Sequence, residues 1–146
     1  MPFIKKQVNL PIGSKENFEF DMEIINFKPT YKTEENLVVI DESSVPIPDG
    51  FVVKERSVVV FPPGSKGGNH KHPRKELFYT TGDLTLKYLE GDKKEVSMAS
   101  VNGEYKLFVI DPDLPHVVIN NTNKEICMFE FADDVQHDVE KIDLLS

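Results

Sequence analysis

Apolar and polar residues alternate along this chain with a period of two far more often than with a helical period. Phe18, Phe20, Met22 and Ile24 alternate with Glu19, Asp21 and Glu23, which predicts a strand with one wet face. Phe27-Lys28-Pro29-Thr30 breaks it. Leu37 to Ile40 reads as a short buried strand, and Pro46-Ile47-Pro48-Asp49-Gly50 as a turn. Phe51 to Phe61 is β-branched and long enough for a strand, ending at Pro62-Pro63-Gly64. A Gly-rich loop then leads to His70 and His72, and Pro73-Arg74-Lys75 reads as a tight connection into a strand starting at Glu76. Gly82-Asp83 turns that strand. Leu84, Leu86 and Tyr88 alternate with Thr85 and Lys87 before a further turn at Glu90-Gly91-Asp92. Val96 to Val101 is a weak strand ahead of Asn102-Gly103, a strong hairpin pair. Tyr105 to Ile110, His116 to Asn120 and Ile126 to Phe131 complete the set. Val135, Val139 and Ile142 are spaced four and three apart among acids, which fits either a short C-terminal helix or an ordered tail lying on the body of the protein.

Many short strands with regular turn signals predict an all-β sandwich or barrel. The 146 residues suit one domain, 1–146, with its core at about 50–131, N-terminal strands in 1–49 and a tail from 132 to 146. Hydrophobic residues make up 39% of the chain, enough for a packed interior. No apolar run approaches the ~20 residues of a membrane span, and Met1 to Lys6 lacks the apolar core of a secretory signal. Cys127 is the sole cysteine, so no internal disulfide forms and a cytoplasmic location is expected. The net charge of −8 repels phosphate backbones, so nucleic acid is not an expected partner. A small anionic molecule stays compatible with this charge, because one or two cations can serve a local site. An unpaired Phe18 to Ile24 strand would be an exposed edge, so a homodimer is expected.

The chemistry concentrates in Gly64 to Phe78. Side chains one residue apart on a strand share a face roughly 6.5–7 Å apart along it, so His70 and His72 can bend toward one ion. Glu76 follows after the turn, and His116 shares a strand face with Val118 and Asn120. A sheet curled into a barrel would let His116 complete a set of three histidines and one carboxylate. Nitrogen-rich ligation with one oxygen suits a divalent Fe, Mn, Ni, Co, Cu or Zn ion with open positions for water or substrate. Spacing does not choose among these metals. A His-x-His pair alone is more often a polar surface pair; Glu76 and His116 shift the balance.

The pattern resembles the cupin family. Its first motif runs Gly, five residues, His-x-His, three or four residues, Glu, six residues, Gly. Gly64, His70, His72 and Glu76 match in order and spacing, with Gly82 one residue early. The second motif, Pro-x-Gly-x-x-His-x-x-x-Asn, is matched by His116 and Asn120, with Asp111 at the proline and Asp113 at the glycine position. The resemblance covers roughly residues 50 to 131. It implies a double-stranded β-helix, a jelly-roll barrel, with a metal held by His70, His72, Glu76 and His116. Gly68-Asn69-His70 followed by Glu76 and Phe78 is similar to cupins of sugar-nucleotide and polysaccharide pathways, including sugar ketoisomerases and epimerases; where those often carry arginine before Gly-Asn-His, this chain has Gly67. Some of that group work without metal, using histidine as a proton shuttle, which would make His70, His72 and His116 catalytic acid–base groups.

Among other residues, Arg56 either reaches into the barrel to bind substrate or points outward to a carboxylate. Phe78 and Val118 share parity with the ligands and are expected to wall the pocket. Asn120 lines the cavity or caps the turn that follows. Tyr79, Tyr88 and Tyr105 suit packing better than proton donation. Cys127, alternating with Phe129 and Phe131, reads as a structural thiol. His137 reads as solvated and Asp133-Asp134 as charged surface. Three functions fit: a metal-dependent sugar or sugar-nucleotide isomerase or epimerase, an Fe(II) dioxygenase, or a non-catalytic module that binds a small ligand or metal. One barrel hosts many chemistries, so fold alone does not separate them.

Overall fold

A computed structural model of the chain describes residues 22–146; the Phe18 to Asp21 part of the first expected strand lies outside them. In chain order the strands are β1 (Ile24–Phe27), β2 (Tyr31–Lys32), β3 (Val38–Val39), β4 (Glu55–Phe61), β5 (Lys66–Lys71), β6 (Glu76–Thr80), β7 (Thr85–Glu90), β8 (Asp92–Ser97), β9 (Tyr105–Ile110), β10 (His116–Ile119), β11 (Ile126–Ala132) and β12 (Glu140–Lys141). They form two five-stranded sheets, β1-β9-β6-β11-β4 and β12-β5-β10-β7-β8, and a small ribbon of β2 and β3. Every pairing between these strands is antiparallel. The two large sheets face each other across a shared core of Phe61, Phe78, Phe108 and Met128 from the first and Leu86, Tyr88 and Val118 from the second. The strand pattern predicted an all-β sandwich or barrel, and the arrangement is the jelly-roll barrel that the cupin resemblance implied.

The first sheet is covered on both faces except along its edge strand β4, where Val58 and Val60 are exposed. Its outer face carries Ile25, Phe27, Leu77, Tyr79, Leu107, Val109 and Phe131, covered by Val45, Ile40, Ile47, Phe51 and Val53. That second layer explains why Glu76-Leu77-Phe78-Tyr79-Thr80 is buried throughout and does not alternate. Each fully buried Leu or Phe here contributes roughly 1.5–3 kcal/mol relative to exposure. The layer also changes the Phe51 to Phe61 expectation: Phe51 and Val53 serve as cover, and pairing with β11 starts only at Glu55.

Three other expectations shift. The predicted Gly-rich loop before His70 is strand β5, paired to β10, with the register slipping between His116 and Val117. The strand expected at Val96 to Val101 lies earlier, at Asp92–Ser97, because the tight hairpin brings Glu90 opposite Asp92. The C-terminal segment is extended rather than helical. It pairs Glu140 with Lys71 and Lys141 with His70, and Asn69 accepts Ile142 N–H on its carbonyl at 3.1 Å and Leu144 N–H on Oδ1 at 2.8 Å. Leu144 is then buried, a gain that a solvated helix would not offer. Among the described residues, no helix is long and apolar enough to cross a membrane.

Candidate metal centre

A β-bulge builds one half of the site. Val118 pairs with Gly67, Val117 with Gly68 and His116 with His70, so β5 has one residue, Asn69, more than its partner. The extra residue lets Gly67 and His70 both face the barrel interior beside Val118 and His116. Gly68 is required there: its φ is +100°, and a Cβ would stand 2.9 Å from the His116 carbonyl oxygen. Asn69 takes the left-handed conformation as well, with φ 68°.

Past the bulge, His72 sits just beyond β5. Its carbonyl accepts the Asp113 N–H at 2.7 Å. Asp113 occupies the motif's glycine position and takes a glycine-like φ of 64°, so the altered second motif keeps the turn it needs. The three imidazoles converge with ring centroids 4.9, 5.0 and 5.0 Å apart, and one nitrogen from each lies within 4.8 Å of the others. Glu76 Oε1 completes the group, 3.2 Å from His72 Nε2 and 3.5 Å from His116 Nε2.

The protonation pattern makes this arrangement informative. His116 Nδ1 lies 2.8 Å from the Leu114 carbonyl oxygen, which only a protonated nitrogen can approach, so Nδ1–H donates and Nε2 carries a lone pair. Burial pushes the His116 pKa down to about 4, outweighing the hydrogen bond to Leu114 and the charge of Glu76. Burial also lowers His70, helped by the charge of His72. Burial would raise Glu76, yet the approach of His72, the neighbouring His116 imidazole and the charge of Arg74 hold it below the usual carboxylate value. The His72–Glu76 approach falls short of hydrogen-bond geometry, and His72 Nδ1, His72 Nε2 and Glu76 Oε1 are buried without a partner. Lone pairs on His116 Nε2 and Glu76 Oε1 thus face each other in a water-poor site, an unfavourable contact unless a cation lies between them. The donor set and its orphaned atoms fit a divalent transition ion.

The second half of the site is a guanidinium cluster built on the tight connection at Pro73-Arg74-Lys75. Arg74 is 6% exposed. Its Nε donates to Glu76 Oε2 at 2.8 Å, Nη1 to Glu55 Oε1 at 2.7 Å and to the Asp134 carbonyl at 3.0 Å, and Nη2 to Glu130 Oε2 at 2.9 Å. Arg74 therefore holds the outer oxygen of Glu76 and leaves Oε1 facing the imidazoles. Asp133, expected as charged surface, accepts the Lys75 N–H at 2.9 Å and so fixes the same turn. Burial and the charge of Glu76 push the Glu130 carboxyl up to about 7, against the pull of Arg74; a bound cation would draw it back down.

A cavity of about 170 Å³ opens at this centre, walled by Val59, Phe61, Phe78, Val118 and Met128 and bordered by His70, Glu76, His116 and Glu130. Phe78 and Val118 stand where strand parity put them. Of its two readings Arg56 takes the outward one and not the substrate-binding one: it lies on the far face of β4, more than half exposed, with Nε and Nη2 bound to Glu42 at 2.8 and 3.0 Å. Asn120 caps the turn that follows and does not line the cavity. It is fully buried but lies away from the cavity, its amide bonded to the carbonyls of Phe61, Pro62 and Lys124 and its Oδ1 accepting from Thr122. It staples two loops. A lone acid in an apolar strand, Glu130 in Ile126–Ala132, was the available signal for the second half of the site.

No family model matches the sequence, and no curated protein matches it. Solved structures do. The polysaccharide-assembling protein CapF of Staphylococcus aureus aligns over 61% of this chain at 17% identity and a TM-score of 0.55, and the chain spans only 26% of CapF's length. A dTDP sugar isomerase from Desulfovibrio desulfuricans aligns over 84% of this chain and 85% of its own at 13% identity and a TM-score of 0.67. WlaRA, a TDP-fucose-3,4-ketoisomerase from Campylobacter jejuni, aligns over 81% and 84% at 17% identity and 0.58. These likenesses establish the fold, the cupin jelly roll.

Proposed function

We propose that this chain is a metal-dependent cupin enzyme that moves a proton next to a carbonyl in a sugar or sugar derivative, as an isomerase or epimerase. The supporting observation is the facing pair of lone pairs on His116 Nε2 and Glu76 Oε1, buried with the unpartnered His72 Nε2. His70, His72, Glu76 and His116 hold one divalent ion, so the three histidines act as ligands rather than proton shuttles. Likeness in fold to two sugar isomerases supports the substrate class.

The ion, when bound, supplies a Lewis acid for the oxygen anion that forms as the neighbouring carbon loses its proton. The Leu114 carbonyl keeps the His116 tautomer, and Arg74 keeps Glu76 turned. The apolar walls exclude water. Glu130, the cavity's other carboxylate, takes the proton from carbon and returns it to the adjacent carbon, while the hydroxyl proton passes to the former carbonyl oxygen, which completes an isomerisation; epimerisation would need a second acid on the opposite face of the substrate. No electrons leave or enter. Metal-loaded protein in D₂O without oxygen should wash deuterium into a keto sugar. Silence across a panel of keto sugars and sugar nucleotides would remove the reading. Oxygen uptake with Fe(II) would favour the dioxygenase, and melting shifts without turnover the binding module.

A further inference from the structure

We propose that the ligand of this cavity is a small uncharged polyhydroxylated carbonyl compound, and that the site selects against phosphorylated and nucleotide-linked forms. The inference rests on the metal-centre reading above and narrows its substrate.

Charge is the first argument. Among the described residues lining the cavity, Arg74 is the only cation, and four of its five N–H donors are committed to Glu55, Glu76, Glu130 and the Asp134 carbonyl. Three carboxylates surround it. A divalent ion together with Arg74 only balances those three, so the loaded site offers an anion no net attraction. The chain's other arginine, Arg56, faces away and is bound to Glu42. Phosphate recognition needs free guanidinium, ammonium or clustered backbone N–H groups, and the cavity wall has apolar side chains instead.

Space is the second argument. A cavity of about 170 Å³ is close to the ~150 Å³ that holds one benzene ring. It admits one six-membered ring, so a base, a ribose and two phosphates would have to lie outside it. Gly67 faces this space, and with no side chain it leaves the Phe61 ring as the wall. An apolar wall beside a carboxylate suits the C–H face and hydroxyl groups of a neutral sugar, with Glu130 accepting from a hydroxyl.

The test uses the full chain loaded with Co(II), whose visible spectrum reports ligands entering at or beside the ion. It is titrated with dihydroxyacetone and its phosphate, with D-fructose and its phosphate, and with thymidine diphosphate. The neutral member of each pair should shift the spectrum, and the phosphorylated member should bind at least about tenfold more weakly. Thymidine diphosphate should leave the spectrum unchanged. Equal or tighter binding of the phosphorylated members, or no response to either neutral sugar, overturns the inference. Glu130→Gln should narrow the gap within each pair. Gly67→Lys, whose Cβ needs the Phe61 ring to yield a few tenths of an ångström from 3.2 Å, should reverse it. Two variants that keep their cobalt but leave the gap unchanged would show that charge does not set the selection. Failure to take up cobalt would instead overturn the metal centre, and the inference with it. Neutral binding without deuterium exchange would remove the isomerase reading alone.

Discussion

The two sides of the cavity floor are built to opposite rules. The side formed by β5 and β10 brings together three imidazoles that leave buried nitrogen without partners. The side formed by β4, β6 and β11 brings together three carboxylates and satisfies them on one guanidinium. Glu76 belongs to both, with Oε2 on Arg74 and Oε1 facing His72 and His116. A saturated cluster needs no further partner; an unsatisfied one of comparable burial is a place kept for something else. The difference locates the functional half of the site without reference to any relative.

Breaking the saturated side should cost most. Arg74→Ala leaves Glu76 and Glu130 facing each other with no compensating charge. Denaturant unfolding should show a loss of about 3–5 kcal/mol, and Arg74→Lys should rescue little, since one ammonium does not bridge three carboxylates. A loss under about 1 kcal/mol would mean that the cluster holds nothing together. On the unsatisfied side, protein purified without an affinity tag should carry about one transition ion per chain by elemental analysis. His70→Ala, His72→Ala and His116→Ala should each lose it. Chelation should lower stability by about 3 kcal/mol if free metal stood near a hundred times its dissociation constant. Wild-type protein that carries no ion, or whose melting ignores chelators, would break the contrast.

Smaller effects sharpen it. Asn120→Ala leaves loop carbonyls unpaired and should cost about 1–3 kcal/mol with metal content unchanged, because Asn120 serves the frame and not the cavity. Acidification separates the sides by sign. The folded state holds His116 at about 4 against an ordinary 6.5, so the unfolded chain takes up protons first as pH falls. His116 therefore takes stability from the ion-free protein between about pH 6.5 and pH 4, while Glu130, held at about 7 against an ordinary 4.5, gives stability back as pH falls through that range, so Glu130→Gln should steepen the acid loss; the bound ion should survive at about pH 6, where a solvated histidine pair would already be protonating. Release that tracks an ordinary imidazole would place the cluster in solvent. Arg56→Ala should change neither metal content nor turnover. Light scattering on the full chain tests the expected homodimer, whose edge strand falls partly outside the described residues.

The sequence by itself determined the all-β class, most strand positions and the four ligand candidates. Period-two alternation is a local property, and imidazoles with a carboxylate at motif spacing are rare enough to stand out. It did not reveal the second buried layer, because alternation disappears when both faces of a strand are covered, as in Glu76–Thr80. It left Arg56 and Asn120 with two readings each, because strand parity does not say which face is inward at a sheet edge or where a strand ends. Only the tertiary structure decided that Arg74 meets Glu55 and Glu130, residues 19 and 56 positions away. Charge pairing across a barrel depends on strand order and register, and those are set by which surfaces pack, not by neighbours along the chain.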